Sequence, residues 1–353
     1  MKNRIIAALL LSGILMTACA DETATAPATD TTAHATSTED STTSESSQEA
    51  DTQTGADESD NALYESFLQN GAKVIFDASK DNANYRSPDG VSGGEYTLQE
   101  LTDAIREANK DEAADDVSLD EIQYAYIDCG NDGSKELLLS ISTSNKNLGE
   151  GWIQKVVVKD IDGNLNSIYS CAEWLRDVVA INEGGYIQTS GGDGYGNYGF
   201  TKGFINSDGD MKYLSSLYVQ GIFYSDETGG RVWYNDSDLE LPTGLGLGDN
   251  YCFVRYDIKD PSSDAETSYY SYIKILDEYG NKINYFDWDR VEVDESIYDD
   301  SNPLKQFLSS EGIQIYTLSE LEQMAQDNEE AAGVTEEIRG ANDPELNKLD
   351  YNF

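Results

Sequence analysis

The fold of this chain is decided by residues 123–141, which read QYAYIDCGNDGSKELLLSI. Two runs rich in apolar, aromatic and β-branched residues, 123–127 and 136–141, flank a short polar segment at 128–134. Asp, Asn and Gly in that segment tolerate the left-handed backbone that tight turns require. Strand-like runs on both sides of such a turn predict a β-hairpin.

The same pattern occurs three more times further along the chain. Segments rich in Asp, Asn and Gly are found at 160–163, 207–210 and 278–281. Strand-like runs flank each of them, at 153–159 and 165–169, 199–205 and 211–218, and 270–276 and 282–286. The glycines of the four turns are 30, 46 and 71 residues apart, which is too uneven for a regular propeller or solenoid. The four tryptophans, Trp152, Trp174, Trp233 and Trp288, are predicted to lie mostly in the core or in cross-strand pairs.

Short helices are predicted at both ends of the β-rich region. Residues 62–69 form one of them, and Asn-Gly closes it. Thr97 with Glu100, and Thr317 with Glu320, have the spacing of capping boxes that start helices. The predicted fold class is therefore α+β, with an antiparallel β-meander or open barrel-like core and short helices at the N- and C-terminal ends of the folded region.

The N-terminus has the features of an export signal. Residues 1–18 contain two basic residues followed by an apolar run that is too short to span a bilayer comfortably. The segment ends in Leu15-Met16-Thr17-Ala18-Cys19, which resembles the lipobox of bacterial lipoproteins. This resemblance implies that Cys19 is diacylated and anchors the protein. The alternative is an ordinary secretory signal cut after Ala20, because residues 18–20 also fit a small-x-small cleavage pattern.

The segment after Cys19 is predicted to be a disordered tether. Residues 20–60 contain 11 Thr, 6 Ser and 11 acidic residues, with no Lys, Arg or aromatic residue. Such a composition cannot bury enough apolar surface to offset the entropy of ordering the chain. It is interpreted as a spacer or as a simple linker. The chain thus divides into a signal peptide (1–18), a lipidated cysteine with its tether (19–60) and an acidic extracellular domain (61–353).

The charge of the protein limits its partners. The chain carries 67 acidic and 23 basic side chains, a net charge of −44, and 56 of the acidic and 21 of the basic residues lie in 61–353. This excludes a general nucleic-acid binder, because phosphate affinity requires clustered Lys and Arg. Anionic polymers are disfavoured as well, so the expected partners are neutral glycans, basic proteins or calcium.

Histidine and cysteine usage excludes several kinds of active site. The single histidine, His34, lies in the tether, so the folded region lacks Ser-His-Asp triads, Cys-His pairs and His-ligated zinc. Beyond Cys19 the chain has Cys129, Cys171 and Cys252, with no CxxC motif. Three cysteines allow at most one disulfide within this region. They are interpreted mainly as small buried apolar residues, although an exported protein could pair two of them.

The turn of the first hairpin carries a candidate metal site. Asp128, Asp132 and Glu136, with Gly133 between them, match the spacing of Asp-rich calcium loops in integrin-type propeller repeats and EF-hands, which the segment resembles. The third loop position, which usually supplies an oxygen ligand, is Gly130. The resemblance implies Ca²⁺ as a cofactor. The alternative is a simple hairpin whose Asp and Asn side chains hold their own backbone.

Two further segments suggest ligand chemistry. Glycines 194, 196 and 199 fit GxGxxG, but a strand-like run follows them instead of a helix, which excludes a dinucleotide fingerprint. This Gly/Tyr loop either offers stacking rings to a sugar or peptide, or is a flexible hairpin end. The stretch 287–295 is dense in carboxylates beside Trp288, as in a glycosidase site, or is a solvated edge strand.

These features favour a non-catalytic surface lipoprotein that binds a ligand or partner. The alternatives are a carboxylate-based glycan hydrolase and a structural accessory protein of the cell envelope. The whole chain also resembles uncharacterised tethered lipoproteins of Gram-positive bacteria, with an Asp-Gly-x-x-Glu-Leu strand entry at 132–137. That resemblance implies an exported protein held by its lipid on the extracellular face of the cell membrane.

Overall fold

The computed structural model describes most of the region predicted to be folded. The described residues are 61–80, 88, 90–110, 117–145, 150–174, 177–192, 197–235, 237–247, 251–263, 265–274 and 295–351. Cys19 and the tether, the loop 193–196, the predicted strand 282–286 and the carboxylate-rich residues 287–294 lie outside them.

The helices are short and lie near the two ends of the described region. They are α1 (Ala62–Leu68), α2 (Leu98–Ala108), α3 (Pro303–Ser310), α4 (Leu318–Ala331) and α5 (Glu336–Arg339), with 3-10 turns at Ala78–Lys80 and Glu295–Tyr298. The predicted capping boxes are confirmed, because Thr97 and Glu100 bond reciprocally at the start of α2, and Thr317 and Glu320 do so at the start of α4. Among the described residues, no helix is both long and apolar enough to cross a membrane.

Sixteen strands make up about half of the described residues. They are β1 (Val74–Phe76), β2 (Gly94–Tyr96), β3 (Val117–Ile127), β4 (Glu136–Asn145), β5 (Glu150–Ile161), β6 (Asn164–Trp174), β7 (Asp177–Ile181), β8 (Tyr186–Gly192), β9 (Asn197–Ile205), β10 (Met211–Gly221), β11 (Phe223–Ser225), β12 (Gly229–Tyr234), β13 (Ser237–Leu241), β14 (Tyr251–Lys259), β15 (Glu266–Lys274) and β16 (Asn347–Lys348).

Thirteen of these strands form one large sheet. Its order is β15-β14-β10-β9-β8-β7-β6-β5-β4-β3-β16, so that strands β3 to β10 each lie beside the next in sequence. The pairs are antiparallel except that β1, which also pairs with β2, runs parallel to β6. Strands β11 to β13 form a small second sheet. The prediction of a largely antiparallel β-protein with a few short helices is confirmed.

The predicted hairpins can be compared with the observed pairing. Strands β3–β4, β5–β6 and β9–β10 pair as the first three turns predict. Of the fourth predicted hairpin, only the first strand is described. This strand corresponds to β15, and it pairs with β14. None of the predicted hairpins includes β14.

Apolar side chains cover both faces of the large sheet in separate clusters. One cluster joins α1 and α2 to β3, β4 and β5, with Phe67, Leu101 and Leu139 fully buried. A second joins the small sheet and α3 to β14 and β15 around Phe253 and Tyr272. The burial of these side chains is the main favourable contribution to folding. It holds the helices and the small sheet against the large sheet.

Candidate functional site

The predicted calcium loop forms a tight turn between β3 and β4. Both carboxylate oxygens of Asp128 accept the backbone N–H of Gly133, at 3.1 and 3.2 Å. The carboxylate of Asp132 accepts the N–H of Ser134 at 2.7 Å. Asn131 and Gly133 have positive φ angles, of 54° and 88°. The polar side chains of this turn therefore bond to the turn's own backbone, as in Asx turns.

The third predicted ligand, Glu136, points into the protein and is 0 % exposed. One of its oxygens accepts the N–H of Cys129 at 2.8 Å, and the other forms an ion pair with Lys159 of β5. Burial raises the pKa of the Glu136 carboxyl, and the bonds from Lys159 and Cys129 offset part of that rise. Burial opposes the charged form of Lys159 as well, but the ion pair outweighs it and raises the pKa of the lysine. This is a buried and paired charge rather than a group turned toward a ligand.

These contacts test how well the three carboxylates fit a calcium ion. Lys159 pairs with Glu136, and the Lys135 ammonium lies 3.8 Å from Asp128. A cation held by oxygen ligands would have to displace these lysines and the backbone donors. Among the described residues, no group of three or more His, Cys, Asp or Glu side chains is arranged to hold a metal. Calcium binding at Asp128, Asp132 and Glu136 stays a prediction, and the observed donors favour the hairpin interpretation.

The same loop packs against two other turns. The N–H of Asp128 donates to the carbonyl of Glu183 at 2.8 Å, and that of Gly130 donates to Gly184 at 3.1 Å. A Cβ at Gly130 would lie 2.6 Å from the backbone nitrogen of Ser207, so only glycine fits there. The missing oxygen ligand at this position thus has a structural reason.

A buried polar network ties the C-terminal helices to the sheet. Glu329 of α4 accepts the hydroxyl of Tyr186 at 3.0 Å, and it pairs with Lys202 at 2.9 Å and with Arg339 at 2.7 Å. Burial raises the pKa of the Tyr186 phenol. Burial opposes the charged form of Lys202 and would lower its pKa. The electrostatic interactions of the lysine, with Tyr186 and Glu329 among others, outweigh burial and raise the pKa. The network holds α4 and α5 on strands β8 and β9.

A different part of the large sheet presents small and hydroxyl side chains around an exposed tyrosine. Gly191 of β8 lies opposite Gly199 of β9, which in turn lies opposite Tyr218 of β10. In the next row on the same face, Thr189 lies opposite Thr201, and Thr201 lies opposite Ser216. We call these six residues the open face: Gly191, Gly199, Tyr218, Thr189, Thr201 and Ser216.

One residue of the open face is exposed, and another has open space at its Cβ position. Tyr218 is 38 % exposed, and the other five residues are half-buried. A side chain built at Gly199 would meet nothing within 4 Å. Among the described residues, the Cβ position of Gly199, opposite Tyr218, therefore has open space around it.

Beyond Tyr218 the charged groups pair with one another. Arg255 of β14 lies opposite Tyr218, and Asp257 lies opposite Ser216. The Nε of Arg255 is 2.8 Å from Asp257, and the same carboxylate oxygen accepts the hydroxyl of Ser268 at 2.6 Å. The edge of the open face at β14 is thus polar, and the charges of Arg255 and Asp257 neutralise each other.

The small sheet meets this surface at Gln220, two residues after Tyr218 on β10. The side-chain oxygen of Gln220 accepts the N–H of Trp233 at 2.8 Å. The Trp233 side chain is 44 % exposed and lies opposite Asp238 of β13, so of the two predicted placements it takes the cross-strand pair and not the core. In strand β12 it alternates with the buried Val232, which packs into the core and leaves Trp233 outside. Trp174 has no described side chain, and Trp288 lies outside the described residues.

Sequence reasoning found only part of the open face. Gly199 belongs to the Gly/Tyr segment, for which the sequence predicts either a loop with stacking rings or a flexible hairpin end. Tyr218 is only the last residue of a predicted strand. The pairing of β9 with β10 brings the two together. The alternation of Thr and Gly, at 189 and 191 in β8 and at 201 and 199 in β9, was the available signal.

The three described cysteines are free thiols. Cys129 and Cys252 are buried and Cys171 is half-buried. Burial raises the pKa of Cys129, and it raises that of Cys171 to about 11. The interpretation of these residues as small apolar side chains agrees with this placement.

Comparison of the chain with family models, with curated proteins and with solved structures gave no match.

Proposed function

We propose that the chain is an exported, lipid-anchored surface protein whose folded region binds a ligand or partner without catalysing a reaction. The observation that carries this proposal is the open face, where an exposed tyrosine stands beside a glycine with nothing within 4 Å of its Cβ position. An exposed aromatic ring beside hydroxyl groups is typical of a recognition surface.

The chemistry of the folded region supports binding rather than catalysis. It has no histidine, which removes the commonest general base. Buried and half-buried charges such as Glu136, Glu329 and Asp257 are engaged in ion pairs. Such pairs hold a fold in place, whereas a catalytic carboxylate needs access to its substrate.

The proposed scaffold is the meander or open barrel predicted from the turns. The consecutive order of β3 to β10 supports it, because neighbouring strands connected by short turns place the hairpin ends along common edges. Such an arrangement leaves the β8–β9 hairpin end, with Gly191 and Gly199, at the margin of the sheet.

The proposed location rests on Cys19 and the tether. A diacylated cysteine anchors stably without a spanning helix, and a flexible chain of 41 residues spans roughly 35 Å on average. The acidic domain and an anionic membrane surface repel each other, which extends the spacer. Mass spectrometry of the mature protein tests this proposal. A diacylglyceryl group on Cys19 supports it, and an N-terminus after Ala20 without lipid contradicts it.

The binding proposal is tested by screening the full-length protein, extracted in detergent, on a glycan array and against immobilised basic proteins. Binding that is weakened by Tyr218→Ala supports the proposal. Failure to bind any probe contradicts it and favours an accessory protein of the envelope. Release of sugars from a bound glycan would favour the hydrolase.

A further inference from the structure

We propose that the small sheet binds a basic segment of a partner protein on its solvent-facing side, with a lysine or arginine cation held between the Trp233 ring and Glu240. This surface is separate from the open face, so the inference goes beyond the proposed function.

The small sheet has one buried side and one exposed side. Val232 of β12 and Leu241 of β13 pack into the core cluster that joins this sheet to β14 and β15. The residues that alternate with them are exposed, and residues directly opposite each other on neighbouring strands share a face. We call the four exposed residues the outer face: Arg231, Trp233, Asp238 and Glu240.

The ring of Trp233 has no partner within the described part of the chain. It is the most exposed large apolar side chain there, and it takes part in no aromatic pair, cation–π contact or side-chain hydrogen bond with any described residue. Tryptophan is among the residues that contribute most to binding at protein interfaces. The indole is therefore available to a partner.

The charges of the outer face are unbalanced toward acid. Arg231 lies opposite Glu240 but pairs with Asp238, at 3.3 Å. Among the described residues, the Glu240 side chain forms no hydrogen bond or ion pair. The turn that joins β11 to β12 adds the exposed Asp226 and Glu227. One arginine thus faces several carboxylates, and Glu240 keeps its full capacity to pair with a cation.

This combination favours a basic partner. Tryptophan is the aromatic residue that attracts cations most strongly. Glu240 is the diagonal neighbour of Trp233 across the β12–β13 ladder, at a spacing of about 7 Å that long side chains can bridge. A lysine or arginine can therefore contact both the ring and the carboxylate.

Other partners fit the outer face less well. An acidic segment would be repelled by its carboxylates, and an apolar segment would take Asp238 and Glu240 out of water without pairing them. The folded region carries 56 acidic and 21 basic residues, so its field also attracts basic partners.

The test is the affinity of the full-length protein, in a non-ionic detergent, for octalysine, with octaglutamate as an acidic comparison. Trp233→Ala leaves the net charge unchanged, so it does not alter the general attraction between an acidic protein and a basic peptide. It is expected to weaken octalysine binding about fivefold. Trp233→Phe keeps a ring and is expected to bind more tightly than the alanine variant.

A second variant tests the carboxylate. Glu240→Gln is expected to weaken octalysine binding about twofold. Glu345→Gln is the matched control, because Glu345 is exposed and lies two residues before β16, at the edge of the large sheet far from β15. Ile161→Ala is the control at an exposed apolar residue. Neither control should change the affinity, and melting temperatures verify the fold of each variant.

The outcomes distinguish this inference from the proposed function. Octalysine binding that Trp233→Ala and Glu240→Gln weaken, and the two controls do not, supports the inference. Binding that only Tyr218→Ala weakens overturns it and supports the open face. Equal affinities of all variants overturn it, because the attraction is then nonspecific. Absence of octalysine binding, or tighter binding of octaglutamate, overturns it too and leaves the proposed function to the glycan screen.

Discussion

Tyr218 lies directly opposite Gly199 in the β9–β10 ladder, so the residue that faces it on that strand carries no side chain. The same ladder continues to Gly191 on β8. An exposed aromatic residue in a sheet is usually flanked by cross-strand partners that cover part of its ring. Here the residues in its row on β9 and β8 are both glycines, and this relationship supports the binding function proposed for the folded region.

Removing the charge of Glu329 should destabilise the protein strongly. Glu329→Gln leaves Lys202 and Arg339 without their shared carboxylate, and breaking a buried pair costs about 3 kcal/mol or more. Denaturant unfolding measures the loss. The neighbouring Glu330 is exposed, so Glu330→Gln should change the free energy of unfolding by less than about 0.5 kcal/mol. Equal stability of the two variants would show that the network does not hold α4 in place.

The free energy of unfolding should depend on pH because of the buried Glu136. Its pKa is raised above 4.5 in the folded state, so the folded protein holds this proton more tightly than the unfolded chain. The stabilisation that the Glu136 carboxyl contributes is fully present below pH 4.5, and it is lost as the pH rises through the folded-state pKa of this carboxyl. Relative to Glu136→Gln, the wild type should therefore lose stability over that range. Unfolding curves at several pH values measure the difference, and a gain in relative stability would contradict the account.

The cysteines should react slowly in the native protein. A pKa of about 11 for Cys171 leaves about one thiolate in a thousand at pH 8. Labelling with a thiol-specific disulfide reagent should be slow before denaturation, and three thiols besides Cys19 should react rapidly after it. Fast native labelling that Cys171→Ser abolishes would show that this thiol is accessible and ionised.

Calcium should have little effect on the Asp128 loop. Glu136 is paired with Lys159, and Asp128 and Asp132 bond to the turn backbone, so we expect no saturable heat and no shift in melting temperature at millimolar Ca²⁺. Calorimetric titration of the full-length protein checks this. Saturable binding that Asp132→Asn abolishes would establish the metal site that the loop's sequence resembles.

Local signals in the sequence predicted much of the fold. Capping boxes at Thr97 and Thr317 depend on residues three apart, and the first three hairpins depend on short turns. Both are decided by backbone geometry within a few residues. This is why the capping boxes and hairpins can be predicted from the sequence without knowledge of long-range contacts.

Long-range contacts were beyond the sequence signals. Strand β14 pairs with β10 although the three strands of the small sheet come between them in the sequence. The parallel pairing of β1 with β6 joins segments about 90 residues apart. The sequence predicts Trp233 either in the core or in a cross-strand pair. The pairing of β12 with β13 decides between them, because Val232 packs into the core and Trp233 lies opposite Asp238. The ion pair of Glu136 with Lys159 likewise depends on which strands meet.

The most direct test of the binding account is the dissociation constant of one ligand selected in the screen of glycans and basic proteins, measured for the full-length wild type, Gly199→Val and Gly151→Val. The account predicts that Gly199→Val binds at least about tenfold more weakly, because its side chain projects from the open face at a position that is open among the described residues, while Gly151→Val, in β5, matches the wild type. Equal dissociation constants for the three folded proteins would contradict it.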